Sequence, residues 1–529
     1  MTAAMTAPPA EVIYSHAVES RRWSFPVRLW LAPVIGVLLA LTFPPFGLVW
    51  LAVPVVAAVT LLVRGLSGPR AAAIGLAVGM GFFLLLLRWM LVIGPDAWIL
   101  LSLLEALFVA AMAAGLAVVQ RLPAWPLWTA ALWVAQELAR SRVPFGGFPW
   151  GRLAFAQDAS PFTAIAALGG SPLVTFAVAL SGSLLAWGVV SVAGRRWLTA
   201  GAGVLAALAV ALAGLLVPLP TQGRTVTAAV VQGNVPRAGL DFMGQREAVL
   251  RNHVATTMTL AGQVKAGTRP QPELVVWPEN SSDLDPYRDA GAKALIQTAV
   301  DAIAAPTLVG AVVQNPANPD TLLNLGIVWS PVSGPGQTYA KRHPVPFGEY
   351  VPFRSELTRF ITRFNRIPYD FAAGDRPGVL TLGPATVGDA ICFEVAYDPI
   401  IRDTVTGGAD ILVVQTNNAT YGRTGQPEQQ LAMSRLRAVE FGRTVLIAAT
   451  SGISAVVAPD GRLVARSAEF ERWTYDGPVV LRTEQTLAAR VGAWPEWILG
   501  TLGVVAAVLA TARTRRERSP HTDDRTIAG

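Results

Sequence analysis

The chain has 529 residues, 52% hydrophobic and only 15% charged, where an ordinary soluble domain carries roughly 25% charge; a wholly soluble protein is excluded. The net charge of +7 does not indicate nucleic acid, because the arginines gather at the ends of apolar runs and no basic stripe interleaved with aromatics is present. A single cysteine rules out an intrachain disulfide, and four histidines argue against a histidine-ligated metal.

In chain order, residues 1–26 form an N-terminal segment with Arg21 and Arg22. A helix needs about 20 apolar residues to cross a bilayer. About eight runs qualify, at 27–44, 47–64, 71–93, 97–119, 124–140, 161–190, 197–217 and 495–512. Because further spans follow, the first is expected to be retained rather than cleaved as a signal peptide. The Lys/Arg bias puts Arg28, Arg64, Arg70, Arg121, Arg195, Arg196 and the basic tail 513–529 in the cytoplasm. The segment between the seventh and eighth spans then falls outside. Arg140, Arg142 and Arg152 break this pattern by flanking the outer loop Pro144–Gly151. Phe148 and Trp150 in that loop read either as an interfacial aromatic belt or as a lipid-facing wall beneath a site. Glu105, Glu137 and Arg88 lie within or near the ends of apolar runs, where charge signals either structural pairing or function.

Val217-Pro218-Leu219-Pro220 is a linker into a folded domain at 224–485. Strands are expected at 225–232, 273–277, 307–314, 322–329, 379–386, 387–393, 409–416 and 443–457. Helices are expected at 242–265, 287–303 and 427–441. This alternation is an α/β pattern. Three strand exits carry chemistry. Trp277-Pro278-Glu279 places a carboxylate at a strand tip. Tyr339-Ala340-Lys341 supplies a cation, and Ile391-Cys392-Phe393-Glu394 a thiol. Taken singly, Glu279 reads as a surface carboxylate, Lys341 as a solvated lysine and Cys392 as an inert buried thiol. Together they meet the needs of a nucleophile: a carboxylate takes the thiol proton, and an ammonium favours the thiolate and then opposes oxyanion charge. A Cys–His pairing through His343 is the alternative.

These motifs, with Pro346-Phe347-Gly348-Glu349-Tyr350-Val351-Pro352 and Phe148-Pro149-Trp150, resemble the apolipoprotein N-acyltransferases, the membrane branch of the nitrilase superfamily. The resemblance implies an α-β-β-α sandwich on a polytopic α-helical bundle, in a bacterial plasma membrane, with the sandwich extracytoplasmic and both termini cytoplasmic. It implies that Glu279 is the general base, Lys341 the oxyanion cation and Cys392 the nucleophile. Glu349, Glu394 and Phe393 are supporting groups. A membrane phospholipid donates the acyl chain through a cysteine thioester, and the amine of a diacylglyceryl-cysteine apolipoprotein accepts it, with no cofactor, metal or nucleic acid and with the protein a monomer. Gln415-Thr416-Asn417-Asn418-Ala419-Thr420-Tyr421-Gly422 departs from the common Asn-Asp-Ala-Trp-Phe-Gly, which bears on substrate contact at Tyr421.

The segment 351–371 suits a lid. Leu357, Phe360, Ile361 and Phe364 follow helical spacing, predicting an amphipathic helix that either packs on the core or dips into the interface with Phe360 and Phe364 toward substrate. Two other functions stand beside the acyltransferase: a membrane-tethered amidase acting on a soluble amide, and a non-catalytic binding protein or transporter.

Overall fold

The computed structural model describes residues 23–235, 245–361, 364 and 368–518, without the side chains of 360, 517 and 518. Arg21, Arg22, Ile367, the side chain of Phe360 and the end of the basic tail therefore lie outside the described residues.

The N-terminal apolar runs fold as helices α1 (Phe25–Ala40), α2 (Ala52–Val63), α3 (Gly68–Leu86), α4 (Pro95–Val119), α5 (Trp125–Arg140), α6 (Ala166–Ala193) and α7 (Trp197–Leu212). Four of them, α1, α3, α4 and α5, start with proline in the first turn, where its missing N–H costs nothing and its fixed φ favours the helix. Close approach depends on small residues, as is common between membrane helices. A Cβ on Gly75 of α3 would sit 2.4 Å from Ala113 Cβ of α4, and one on Gly79 would sit 2.7 Å from Ala106 Cα.

Among the described residues, five helical stretches are long and apolar enough to cross a membrane: Gly68–Leu86, Pro95–Val119, Thr163–Ala193, Trp197–Leu216 and Trp494–Arg516. That is fewer than the eight runs expected. Phe25–Ala40 and Val49–Val63 are apolar but shorter, and α5 has 16 residues. The third run also breaks early. α3 ends at Leu86, and Arg88, which is exposed, begins a short 3-10 turn, Arg88–Val92.

The second part is built on strands β1 (Arg224–Gln232), β2 (Leu274–Val276), β3 (Thr307–Gln314), β4 (Thr321–Ser330), β5 (Gly334–Ala340), β6 (Asp370–Phe371), β7 (Val379–Leu382), β8 (Ala385–Ile391), β9 (Ile411–Thr416), β10 (Val445–Ala449), β11 (Ala455–Val457), β12 (Leu463–Arg466) and β13 (Trp473–Leu481). Its helices are α8 (Arg246–Lys265), α9 (Ala290–Ile303), α10 (Arg354–Phe360), α11 (Asp398–Thr406), α12 (Gln426–Phe441) and α13 (Leu487–Val491), followed by α14 (Trp494–Arg518). One sheet runs β13-β1-β2-β3-β4-β5, with β6 beside β4; the other runs β12-β11-β10-β9-β8-β7. The centres, β1-β2-β3 and β8-β9-β10, are parallel.

Side-chain alternation sorts the layers. Val226, Ala228 and Val230 of β1 meet Val387, Ile411, Val413 and Leu446 between the two sheets. Ala229 and Val231 face outward onto Leu250 of α8 and Ile296 and Val300 of α9. On the opposite side, Ala390, Leu412, Val414, Val445 and Ile447 share one buried cluster with α11, α12 and the N-terminal helices. The outer helical layer of the sandwich thus doubles as its seat on the helical bundle.

Two expectations change. The single strand at 443–457 is two, β10 and β11, separated by Thr450–Ser454, because Thr450 Oγ1 turns to donate to the Glu279 carbonyl at 2.8 Å. The helix meant to run through Phe364 stops at Phe360, where Ile361 leaves helical geometry (φ −123°). Phe364 is buried, with its ring 5.8 Å from that of Phe347.

Candidate active site

The parallel strands carry the site at their C-terminal ends. β2 leads into Pro278-Glu279, β8 into Cys392, and β9 ends at Thr416 beside Asn417. Gly310 of β3 lets the first of these exits lie close: a Cβ there would sit 2.2 Å from the Pro278 carbonyl oxygen. Lys341 follows the antiparallel strand β5, its N–H donating to the Asn324 carbonyl of β4 at 2.9 Å.

Cys392 sits at φ +56° between β8 and a short 3-10 turn. A left-handed backbone at a non-glycine residue is costly and persists where surroundings impose it. Here Gln430 Nε2 of α12 donates to the Cys392 carbonyl at 3.0 Å, and Thr416 Oγ1 lies 3.3 Å from Sγ.

Lys341 Nζ donates to Glu279 Oε1 at 3.1 Å and to Glu349 Oε1 at 2.8 Å. Asn324 Nδ2 donates to the same two carboxylates, at 2.7 and 3.2 Å. The Asn417 N–H reaches Glu279 Oε2 at 2.8 Å, and the Val345 N–H reaches Glu349 Oε2 at 2.7 Å. Glu279 and Lys341 are buried. Burial alone would neutralise the ammonium, but the Glu279 and Glu349 carboxylates outweigh it and hold Lys341 well above the usual lysine range. Burial, and then the Glu279 charge, push the Cys392 thiol up to about 12 against the opposing pull of Lys341. At neutral pH Cys392 therefore rests as the thiol and Lys341 as the ammonium. A proton moved from sulfur to Glu279 would create no new net charge beside Lys341.

Glu394 meets the backbone, not the lysine side chain. Its carboxylate accepts from the Ile391 N–H at 2.7 Å, from the Arg342 and His343 N–H groups at 2.7 and 3.1 Å, and from Tyr339 Oη at 2.9 Å. It staples the exit of β8 to the exit of β5. His343 is half-buried, and desolvation followed by the Lys341 charge lowers it to about 4; it stays neutral at pH 7. Its ring packs against that of Tyr397, tilted by 40° with centroids 4.0 Å apart.

The loop Pro144–Gly151 reaches this centre. Trp150 is buried, with Phe148 and Phe393 stacked on it at 6.2 and 6.0 Å. The Trp150 and Trp89 indole N–H groups both donate to Gln429 Oε1 of α12, at 2.7 and 3.1 Å. The Tyr421 ring stands edge-on to Trp89 at 5.1 Å. Trp150 is therefore not an exposed belt residue; it is a wall buried beside Phe393, the neighbour of Cys392. Arg140 organises that wall, pairing with Glu105 at 3.3 Å and donating to the carbonyls of Phe148 and Trp150 at 3.0 and 2.6 Å. Glu137 accepts from the Leu153 N–H at 2.8 Å and from Thr175 at 2.8 Å. Glu105 thus acts through Arg140, which holds the loop carbonyls, while Glu137 holds the backbone just beyond the loop at Leu153.

Sequence reasoning missed Asn324, Thr416, Gln429 and Gln430. Asn324 is a polar residue inside the apolar strand run Leu322-Leu323-Asn324-Leu325, and that interruption is its one signal. Gln429 and Gln430 look like ordinary helix residues and give none.

Two family descriptions match the chain: the apolipoprotein N-acyltransferase N-terminal domain over residues 35–184 and the carbon-nitrogen hydrolase over 227–488. The apolipoprotein N-acyltransferase of Mycolicibacterium smegmatis is 40% identical over 91% of this chain and 84% of its own length. That of Azotobacter vinelandii is 32% identical over 92% and 96%, and that of Shewanella oneidensis 27% over 93% and 96%. A solved amidase from Nesterenkonia sp. aligns with 52% of this chain and 95% of its own, at 17% identity and a TM-score of 0.36. With a helical part and a two-sheet part matched in turn, and a relative 40% identical along nearly its whole length, the chain belongs to the apolipoprotein N-acyltransferase family.

Proposed function

We propose that the protein transfers a fatty acyl chain from a membrane phospholipid, through a thioester on Cys392, to the N-terminal amine of diacylglyceryl-cysteine apolipoproteins. The observation that carries this reading is the buried Lys341 held between Glu279 and Glu349 at 3.1 and 2.8 Å, with its charge and that of Glu279 both acting on the Cys392 sulfur.

Glu279 takes the Cys392 proton as Sγ attacks the ester carbonyl. Lys341 and the N–H after Cys392 oppose the charge on the tetrahedral oxygen. Glu279 returns the proton to the leaving alcohol, a lysophospholipid departs and the thioester remains. The incoming amine then attacks, Glu279 relieves it of a proton, and the C–S bond breaks to give the amide and a reprotonated thiol. This is ping-pong chemistry. Phe148, Trp150 and Tyr421 form the apolar wall for the acyl chain, and Phe360 and Phe364 belong to a cover that keeps water from the thioester.

Both substrates are anchored in the bilayer, so lateral diffusion brings them to a site at its surface. The protein is placed in a bacterial plasma membrane as a monomer, with 27–217 as a seven-span membrane part, 224–485 as the extracytoplasmic catalytic part, 495–512 as the eighth span and both termini cytoplasmic. The arginines at odds with this orientation have another explanation. Arg142 and Arg152 pair with Glu496 at 2.5 and 3.3 Å, and Arg152 also pairs with Asp398 at 2.5 Å, so they serve ion pairs.

Intact-mass measurement tests the proposal. After the purified protein is mixed with phospholipid, its only thiol gains one acyl mass, which hydroxylamine removes and Cys392→Ser lacks. An unmodified parent that still transfers, or hydrolysis of a soluble amide with no acyl adduct from lipid, refutes it.

A further inference from the structure

Thr416 is buried at the tip of β9, and its hydroxyl has two acceptors within reach: Cys392 Sγ at 3.3 Å and Gln430 Oε1 at 3.1 Å. The orientation of the Gln430 amide is fixed by its surroundings. Its nitrogen must face the Cys392 carbonyl, 3.0 Å away, because an oxygen there would meet an acceptor. Its oxygen therefore faces Thr416, and it also accepts from Asn418 Nδ2 at 2.9 Å. One hydroxyl proton thus stands between the sulfur and an amide oxygen that already has a donor.

We infer that Thr416 is a further catalytic residue, a rotating hydroxyl that follows the charge on the nucleophile. While the sulfur carries its proton, Thr416 donates to Gln430 Oε1 and accepts from S–H. When Glu279 removes that proton, the hydroxyl turns and donates to the thiolate, and Gln430 Oε1 keeps its bond from Asn418. No proton changes owner at Thr416. The same turn recurs when the thioester breaks and the thiolate leaves. The inference rests on Cys392 as the nucleophile, and it assigns a role to a residue outside the Glu-Lys-Cys trio.

Alkylation of the single cysteine by iodoacetamide across pH, followed by intact mass on the full-length protein, tests it. A hydrogen bond to a charged group is worth roughly ten- to a hundredfold. Thr416→Val should therefore react at least about tenfold more slowly than the parent at a fixed pH, with its profile moved to higher pH, and should form the acyl thioester correspondingly slowly. Thr416→Ser should stay within about threefold of the parent. Thr416→Ala serves the same purpose should valine at the strand end unfold the chain. An alkylation profile unchanged in the valine or alanine variant, or a loss as large in the serine variant, overturns the inference. An absent lipid-derived adduct on the parent would sink the nucleophile assignment instead, and the alkylation comparison would still stand.

Discussion

Glu279 bears on the sulfur in two opposed ways: its charge raises the thiol pKa, and in the proposed mechanism its oxygen takes the proton. Glu279→Gln separates the two. Without the anion, Lys341 faces the thiol with less compensation, so the thiol pKa falls and iodoacetamide alkylation begins at lower pH than in the parent. Acyl transfer should nonetheless drop by about 10²–10⁴-fold, the usual contribution of a positioned base. A profile that moves the other way would contradict the charge argument. Asp389 gives a second test. It is buried in β8, neither carboxyl oxygen has a partner among the described residues, and burial, then the Glu394 and Glu279 charges, hold its pKa well above the carboxylate range. A raised acid adds stability in full below its unfolded value, and that stability is lost as pH rises toward the folded value. Asp389→Asn should therefore melt higher than the parent at pH 8, with a smaller gain at pH 4, in thermal unfolding followed by tryptophan fluorescence. At this scale Glu279 and Cys392 were readable because each ends a strand-like apolar run, whereas Lys341 follows β5, which does not read as a strand, and was singled out by its motif. The sequence hid Asn324, Thr416 and Gln430, because a buried amide or hydroxyl acquires its meaning from partners distant in the chain.

Helix α12 bears on two structures at once. Gln429 Oε1 holds the Trp89 and Trp150 indoles, and Gln429 Nε2 donates to the Pro44 and Leu86 carbonyls, both at 3.1 Å. The next residue, Gln430, holds the Cys392 carbonyl. Gln429→Leu strands two buried N–H groups and two carbonyls, each orphan costing roughly 1–3 kcal/mol. It should lower the thermal midpoint in detergent and slow acyl transfer by more than a stability loss alone explains; a variant with parental melting would discount the clamp. Most strands of the sandwich were legible from β-branched runs. β5 was not, since Gly334-Pro335-Gly336 reads as a turn and pairing with β4 overrides it. The lid helix was overread, since spacing alone does not show where Ile361 leaves the helix.

On the scale of the whole chain, sandwich and bundle share one core. Ile400, Leu436, Val439 and Phe441 from α11 and α12 are buried in the same cluster as Leu153, Phe155 and Val174. Arg152 ties the two parts through Asp398, which Arg437 also binds at 2.6 Å, and despite burial these two guanidiniums hold the Asp398 carboxyl well below its ordinary value. Residues 224–491 expressed alone should therefore expose an apolar face with broken ion pairs and elute as aggregate in size exclusion. A stable soluble monomer would show that the sandwich completes its own core. The division into two parts was plain in the distribution of apolar residues; their fusion was not, because composition does not reveal which faces meet.

The two neighbouring glutamines also join the enzyme to its solvent. A thinner or thicker hydrocarbon layer is accommodated by helices that tilt or shift. A shift of α3 would carry Leu86 and, just beyond it, Trp89, and through Gln429 the turn of α12 whose Gln430 holds the Cys392 carbonyl. Turnover is therefore expected to vary with lipid tail length itself, separably from tail length as substrate, when the protein is reconstituted in non-ester lipids of graded thickness with one fixed acyl donor; turnover independent of thickness would contradict the coupling.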